Sequence, residues 1–457
     1  MRTWPHRALS LAIDQLIPNI LLLGVSIVAG ASAHAQTIVP RKPNVLPQSH
    51  VTETGALHPE LLPPPVAIDE RDTDPFSLPD LLAIAEQNSP VLSQAAAEIE
   101  MAQGRTRQEG LYPNPVVEGG GMQLGGSESQ YYAQLSQEIV THHKLRLSQA
   151  AAGQQVTQAE LRFVRARFEL LTKVRKGYAA VVAADKRTLA LTKLVELARK
   201  SQQAADRLFK AGEGARPDAI MFDIELEKAE VALENAEVTA VGARRQLSAI
   251  MGVRDLQLHR LTGEIATSFQ RLENEIVVDG DVPQNADVRL AEVEVERTRL
   301  VARRAEVEPR PNLTVTAGYM QQVTGVQEMA ILNFSMPIPA WNRNQGNIRA
   351  ARADIGRAME GVRQSQNDVA RQMADATSRF RVAQQQVARY EKRIIPKAQD
   401  GVRLIQQGFD TGQFDFQRLL QAQRSLVEAD LGHIASLTEQ WNAAAELAGL
   451  AQLEFFP

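Results

Sequence analysis

Two stretches of this chain, each roughly 200 residues long, pass the same landmarks in the same order. Whatever one half folds into, the other must build again. The first opens at Asn88-Ser89-Pro90-Val91 and the second at Asn285-Ala286-Asp287-Val288. About one helix later come Tyr112-Pro113-Asn114-Pro115 and Arg310-Pro311-Asn312-Leu313, then Leu135-Ser136-Gln137 and Phe334-Ser335-Met336. The clearest match is Leu208-Phe209-Lys210-Ala211-Gly212-Glu213 against Gly408-Phe409-Asp410-Thr411-Gly412-Gln413. Each half reads as a helix, two strands, a very long helix, a turn and a helix.

The strands are about ten residues long, the length a tilted barrel strand needs to cross a bilayer. In one, Leu313, Val315, Ala317 and Tyr319 alternate with Thr314, Thr316, Gly318 and Met320. In its partner, Ala330, Leu332, Phe334 and Met336 alternate with Ile331, Asn333 and Ser335. In the first half, Tyr131, Ala133, Leu135 and Ile139 alternate with Tyr132, Gln134, Ser136 and Glu138, while the strand over 116–124 is poorer, with three successive glycines. Period-2 alternation gives one face to lipid and the other to a wet lumen, although a soluble hairpin alternates in the same way. Gly125 to Ser129 and Val323 to Val326 are expected to be the hairpin loops.

Lys144 to Lys210 contains no proline, which predicts about 100 Å of helix. Two heptad seams run along it. One is Leu161, Val164, Phe168, Leu171, Tyr178, Val182 and Leu189, and the other is Phe163, Leu170, Val174 and Val181. Seams two positions apart face different sides and suit a helix wedged between neighbours. The second half repeats this helix from Gln345 to about Gln407, with a kink or break expected at Pro396.

Arg2 and Arg7, the apolar run from Ile20 to Ala29 and the Ala33-His34-Ala35 site predict a cleaved secretory signal over 1–35. Eight prolines between residues 36 and 75 predict a linker. The two repeats then occupy 76–284 and 285–450, with a tail over 451–457. No stretch after the signal is apolar enough for a transmembrane helix, so a membrane position requires a closed β-barrel. Four strands cannot close one, and three chains would supply twelve. The net charge of −4 points away from nucleic acid, and a chain without cysteine has no thiolate site or disulfide.

The runs Leu111-Tyr112-Pro113-Asn114-Pro115, Leu135-Ser136-Gln137-Glu138-Ile139, Ile338 to Ile348 (IPAWNRNQGNI) and Gly408 to Phe416 (GFDTGQFDF), set in this duplicated plan, carry a resemblance. The chain resembles the TolC family of outer-membrane efflux proteins, particularly its CzcC-like branch associated with heavy-metal efflux. The resemblance implies a mainly α fold: a long α-helical barrel in the periplasm, plus four strands per protomer of a shared trimeric transmembrane β-barrel. It implies a homotrimer set in outer-membrane lipid, a periplasmic adaptor, and an inner-membrane pump, often of the RND type. The duct itself is passive, for metal cations or small toxic compounds. Type I protein secretion, a periplasmic coiled-coil adaptor and a purely structural coiled coil stand as alternatives. Some relatives carry an acylated N-terminal cysteine, which this sequence lacks.

No P-loop, dinucleotide fingerprint, HExxH site or nucleophile elbow is present, so neither an enzyme nor a cofactor is expected. His142-His143 reads as a polar strand–helix junction, because adjacent helical residues make a poor chelate. His259 and His433 stand alone. The candidate sites are the two tips, with Gly212 and Glu213 in one and Gly412 and Gln413 in the other, where glycine lets a helix stop and reverse. In the resembled family the tips receive the adaptor, and acids beyond them form a periplasmic constriction. Asp218 keeps the acidic position after Gly212, Arg418 occupies it after Gly412, and Gln421 replaces a second acid. Asp218 and Arg418 are therefore expected to face each other between hairpins and hold the resting pore shut.

Overall fold

The computed structural model describes residues 76–456 apart from 126–127, 213, 255, 257, 259–260, 264, 266–268, 271, 273–284, 323–326 and 412. The expected signal, the whole of the linker, His259, Glu213, Gly412 and the Val323–Val326 loop lie outside the described residues.

The first helix among the described residues is α1 (Leu78–Asn88), opened by a capping box between Ser77 and Asp80. Pro90 then starts α2 (Pro90–Glu109), since its missing N–H costs nothing in a first turn. The hairpin β1 (Val116–Met122) and β2 (Gln130–Ile139) leads into α3 (Lys144–Lys210), 67 residues long, and α4 (Arg216–Ile250) returns beside it. β1 ends two residues before the expected Leu124; Gln123 turns into the left-handed region there. The second half repeats the order with α5 (Ala286–Val307), β3 (Leu313–Gln322), β4 (Gln327–Ser335), α6 (Gln345–Arg389), α7 (Ile395–Asp410) and α8 (Phe416–Leu450). Asn285 caps α5 by accepting from the Asp287 N–H, and its amide donates to the Leu450 carbonyl, tying the second repeat's start to its end.

Pro396 does not break the second long helix. A π-helical turn over Tyr390–Ile394 absorbs the missing N–H, and the chain continues as α7 with Pro396 in its first turn. Tyr390 in this turn lies against the Gly432 backbone of α8, where an added Cβ would meet its hydroxyl at 2.4 Å.

The main core sits midway along the long helices. Trp441 packs among Tyr178, Phe269 and Phe456, and Leu81, Leu92, Val174 and Leu247 close around them. Residues after α4 join this belt: Leu261 bridges Phe76 in parallel, and the Tyr178 hydroxyl donates to the Thr262 carbonyl. Away from the belt, the hairpins pack through alanines. Ala229 and Ala236 follow Phe222 at heptad spacing on α4, as Ala376 and Ala383 follow Val369 on α6, and such small residues let the helices approach closely. Both seams of α3 are largely covered within the protomer, except that Leu189 is exposed, which corrects its place in the first seam. The helix with an uncovered seam is α4: Ile224, Val231 and Val238, seven apart, face outward opposite the buried Phe222 seam.

Candidate functional site

The four strands form one antiparallel sheet in the order β1-β2-β3-β4. Strand register decides whether four separate alternations add up to one membrane face, because a slip of one residue inverts a strand. They do add up. Val117, Leu135, Ala317 and Leu332 stand directly opposite one another across all four strands, and Gly119, Ala133, Tyr319 and Ala330 make the next row. Val315 and Phe334 extend the same face. The other face carries Val116, Ser136, Thr316 and Asn333 in one row and Glu118, Gln134, Gly318 and Ile331 in the next. Glu118 accepts from the Gln134 amide at 2.9 Å there. Over these central rows one face is apolar and the other mostly polar, as a barrel strand requires, and towards the rims Gln137, Gln321 and Glu328 join the apolar face.

At the base of the sheet, Asn312 ties the halves together. Its Oδ1 accepts from the Lys144 ammonium at 3.0 Å and the Thr141 N–H at 3.3 Å, and its amide donates to Glu138. His142 and His143 fill the strand–helix junction with positive φ, and Asn344 takes the same left-handed conformation before α6. A cavity of about 570 Å³ opens beside this junction, lined among others by Glu138, Lys144, Arg310 and Trp341. Among the described residues no group of three or more His, Cys, Asp or Glu is placed to hold a metal. His433 lies 3.4 Å from Glu391 across the helix pair, a neighbour that helical spacing within α8 could not reveal.

The tips at the far end of the hairpins repeat one closure. Gly214 N–H donates to the Leu208 carbonyl at 3.0 Å, and Phe414 N–H donates to the matching Gly408 carbonyl at 3.2 Å. Each tip holds one large residue and one glycine at these two positions, in opposite order: Leu208 with Gly214, Gly408 with Phe414. A Cβ at residue 408 would strike the Phe414 ring. Gly212 has φ +78°, so the reversal there does require glycine.

Asp218 and Arg418 are both exposed beyond the tips. Within the protomer Arg418 stacks over the Phe414 ring and stands 3.9 Å from Asp415, and it forms no ion pair with Asp218. An acid–arginine pair does join the same two helices slightly higher, between Glu225 of α4 and Arg424 of α8. Burial works to raise the Glu225 carboxyl, but Arg424 and Lys228 prevail and hold it below the usual range. Phe222 and Phe416 pack beside this pair, and Gln421 stays exposed. Sequence reasoning missed the Glu225–Arg424 pair, since nothing local marks two partners that far apart in the chain.

Long paired hairpins joined to a sheet with one apolar and one polar face are the parts of a channel wall that passes from water into lipid. The chain matches the outer membrane efflux protein family over residues 81–253 and 283–451, and it belongs to that family. It is 24% identical to the cobalt-zinc-cadmium resistance protein CzcC of Cupriavidus metallidurans, covering 82% of this chain and 89% of that protein. Its fold is shared with the outer membrane protein VceC of Vibrio cholerae (TM-score 0.69, 16% identity, 82% of this chain and 96% of that one). It is shared as well with CusC, which forms a transmembrane channel (TM-score 0.72, 15% identity, 85% and 97%).

Proposed function

We propose that this protein is the passive outer-membrane duct of a metal-cation efflux system, assembled as a homotrimer with its helices in the periplasm. The four-stranded sheet with one apolar face and two unpaired edges carries this reading. Open edges are not tolerated in lipid, and four strands are too few to close, so copies must share a barrel. The uncovered Ile224–Val231–Val238 seam supports the same conclusion for the helices. Likeness to CzcC supports cobalt, zinc or cadmium as cargo. The energy comes from an inner-membrane pump of the RND type. A periplasmic adaptor meets the tips at Gly212, Glu213, Gly412 and Gln413, and the duct performs no chemistry.

Asp218, Arg418 and Gln421 are the gate residues of this reading. Both charged side chains are exposed in the protomer and free to meet across a subunit boundary, as the Glu225–Arg424 pair already does within one chain. The test joins two measurements. Purified protein should run as a heat-dissociable trimer, and a deletion strain should gain sensitivity to cobalt, zinc or cadmium. A monodisperse folded monomer would refute the duct, and unchanged tolerance to all three metals would refute the cargo.

A further inference from the structure

The sheet stops at two open edges, β1 and β4. In a shared barrel, β4 of one copy meets β1 of the next. The following inference rests on the shared-barrel reading and adds the register of that seam. The internal duplication supplies the template, because β2 against β3 is the joint between repeats within a chain, and β4 against β1 is the same joint between chains.

Within the chain the joint is fully defined. Ser136 stands opposite Thr316 and Ile139 opposite Leu313. Asn312, just before β3, is held by Thr141 and Lys144 at the turn into α3, and the Thr141 hydroxyl donates to the Pro311 carbonyl at 2.7 Å. That turn ends on His143, with φ 59° and ψ 23°. Every part has a counterpart at the open edges. Pro113-Asn114 precedes β1 as Pro311-Asn312 precedes β3, and Leu135-Ser136 matches Phe334-Ser335. Asn344, with φ 59° and ψ 20°, ends the turn into α6. Asn342 then stands where Thr141 does, and Gln345 where Lys144 does.

We propose that β4 of one copy pairs antiparallel with β1 of the next with Ser335 opposite Glu118, and that Asn114 of the next copy docks on the Asn342–Gln345 turn as Asn312 docks on Thr141–Lys144.

Two observations that played no part in setting this register agree with it. The first is facing: it sets outward Phe334 opposite outward Gly119 and Leu332 opposite Gly121, and inward Ser335 opposite inward Glu118. A slip by one residue would turn Phe334 against Glu118 and put lipid-facing side chains in line with lumenal ones. The second is Gly119, which nothing within the protomer explains. A Cβ on Gly119 would meet nothing closer than the Tyr132 carbonyl at 3.6 Å, so its outward side is bare within the protomer. Phe334 and Leu332 are 65% and 63% exposed. Across the seam Phe334 covers the bare Gly119, which spares an edge strand both the gap and a clash; Gly121 is already covered within its own chain by Leu124 and Tyr131. The copy is imperfect in three respects: Ser335 lies nine positions before Asn344 where Ser136 lies seven before His143, neutral Gln345 replaces Lys144, and Pro337 stands where Glu138 does and offers no carboxylate to the Asn114 amide. The seam between chains is therefore held by fewer charge-assisted bonds than the joint within one.

The absence of native cysteine makes the register directly readable. Directly opposed residues have Cα atoms about 4.5–5.5 Å apart, within disulfide reach, whereas a two-residue shift exceeds about 7 Å. Phe334→Cys with Gly119→Cys should convert to covalent trimer on oxidation, and Phe334→Cys with Gly121→Cys should not. Each variant is first run reduced and unheated to show that trimers form. If either pair prevents assembly, Ser335→Cys with Glu118→Cys tests the same register from the lumenal side. Trimers that link only through the shifted pair, or through neither, overturn the register and leave the shared barrel standing. Folded monomers in the unsubstituted protein overturn the barrel itself, and the seam with it.

Discussion

Arg175 lies wholly buried beneath the C-terminal segment, where its guanidinium donates to the Leu453 and Glu454 carbonyls and sits 4.7 Å from the Phe456 ring centre. Burial, aided by repulsion from Arg167, lowers its pKa to about 10. The charge therefore persists at neutral pH at some cost to stability, offset by these contacts; the cation–π contact alone is worth about 1–2 kcal/mol when desolvated. Arg175→Met keeps most of the volume but frees both carbonyls. It should leave helical content intact while the tail becomes sensitive to carboxypeptidase; a tail equally resistant in both proteins would show that Arg175 is not its anchor. The Glu225–Arg424 strap has a defined pH dependence. A carboxylate whose pKa falls on folding contributes stability above its unfolded value and loses it as pH drops through the folded value. The strap should thus hold at neutral pH and weaken only below about pH 4. Glu225→Gln should remove about 1 kcal/mol or less at pH 7, since Arg424 is half exposed, and should flatten the acid limb of a stability-against-pH curve. At the proposed gate, Arg418→Glu should raise the conductance of the isolated trimer, and adding Asp218→Arg should restore the low value. No change in the single variant, or no rescue in the double one, would remove this pair as the latch.

The π-helical turn between α6 and α7 shows how an element absorbs a residue that should break it. Proline at position 396 cannot donate to the carbonyl four residues back, and the wide turn before it relieves the ring's clash while the hairpin continues to its tip. The turn is held by Tyr390 lying on Gly432, so Gly432→Ala should lower stability by about 1–3 kcal/mol through overpacking. Tyr390→Phe in that background removes the colliding hydroxyl and should recover part of the loss in a thermal melt. Equal melting of both variants would show that the turn does not depend on this contact.

In the whole molecule, one seam of the first hairpin is spent inside the protomer and another is left uncovered. Phe222, Ala229 and Ala236 are buried on one side of α4, while Ile224, Val231 and Val238 stand exposed on the other. Val231→Asp should therefore cost the protomer little and the assembly much, because the charge would be buried only when copies meet. A folded monomer with reduced trimer is the expected result on a sizing column; undiminished trimer would mean that the next copy does not cover this stripe.

Periodicity is a local property, and what depends on it was legible in the sequence. The duplicated plan, the four alternating strands, the proline-free helix from Lys144 and the glycine reversal at residue 212 follow from residue types a few positions apart, because a strand or helix repeats within that distance. The proposal that several copies share a barrel rests on the sequence as well, since four strands cannot close. Only the tertiary structure decided what depends on which segments meet. It set the register that gathers four alternations onto one face, left Leu189 exposed and buried Arg175 under the tail. It also carried the helix past Pro396 and paired Glu225 with Arg424, while Asp218 and Arg418 do not pair with each other within the protomer. These partners lie tens to hundreds of residues apart, and no short-range pattern encodes such a contact; it exists only once the hairpins are packed.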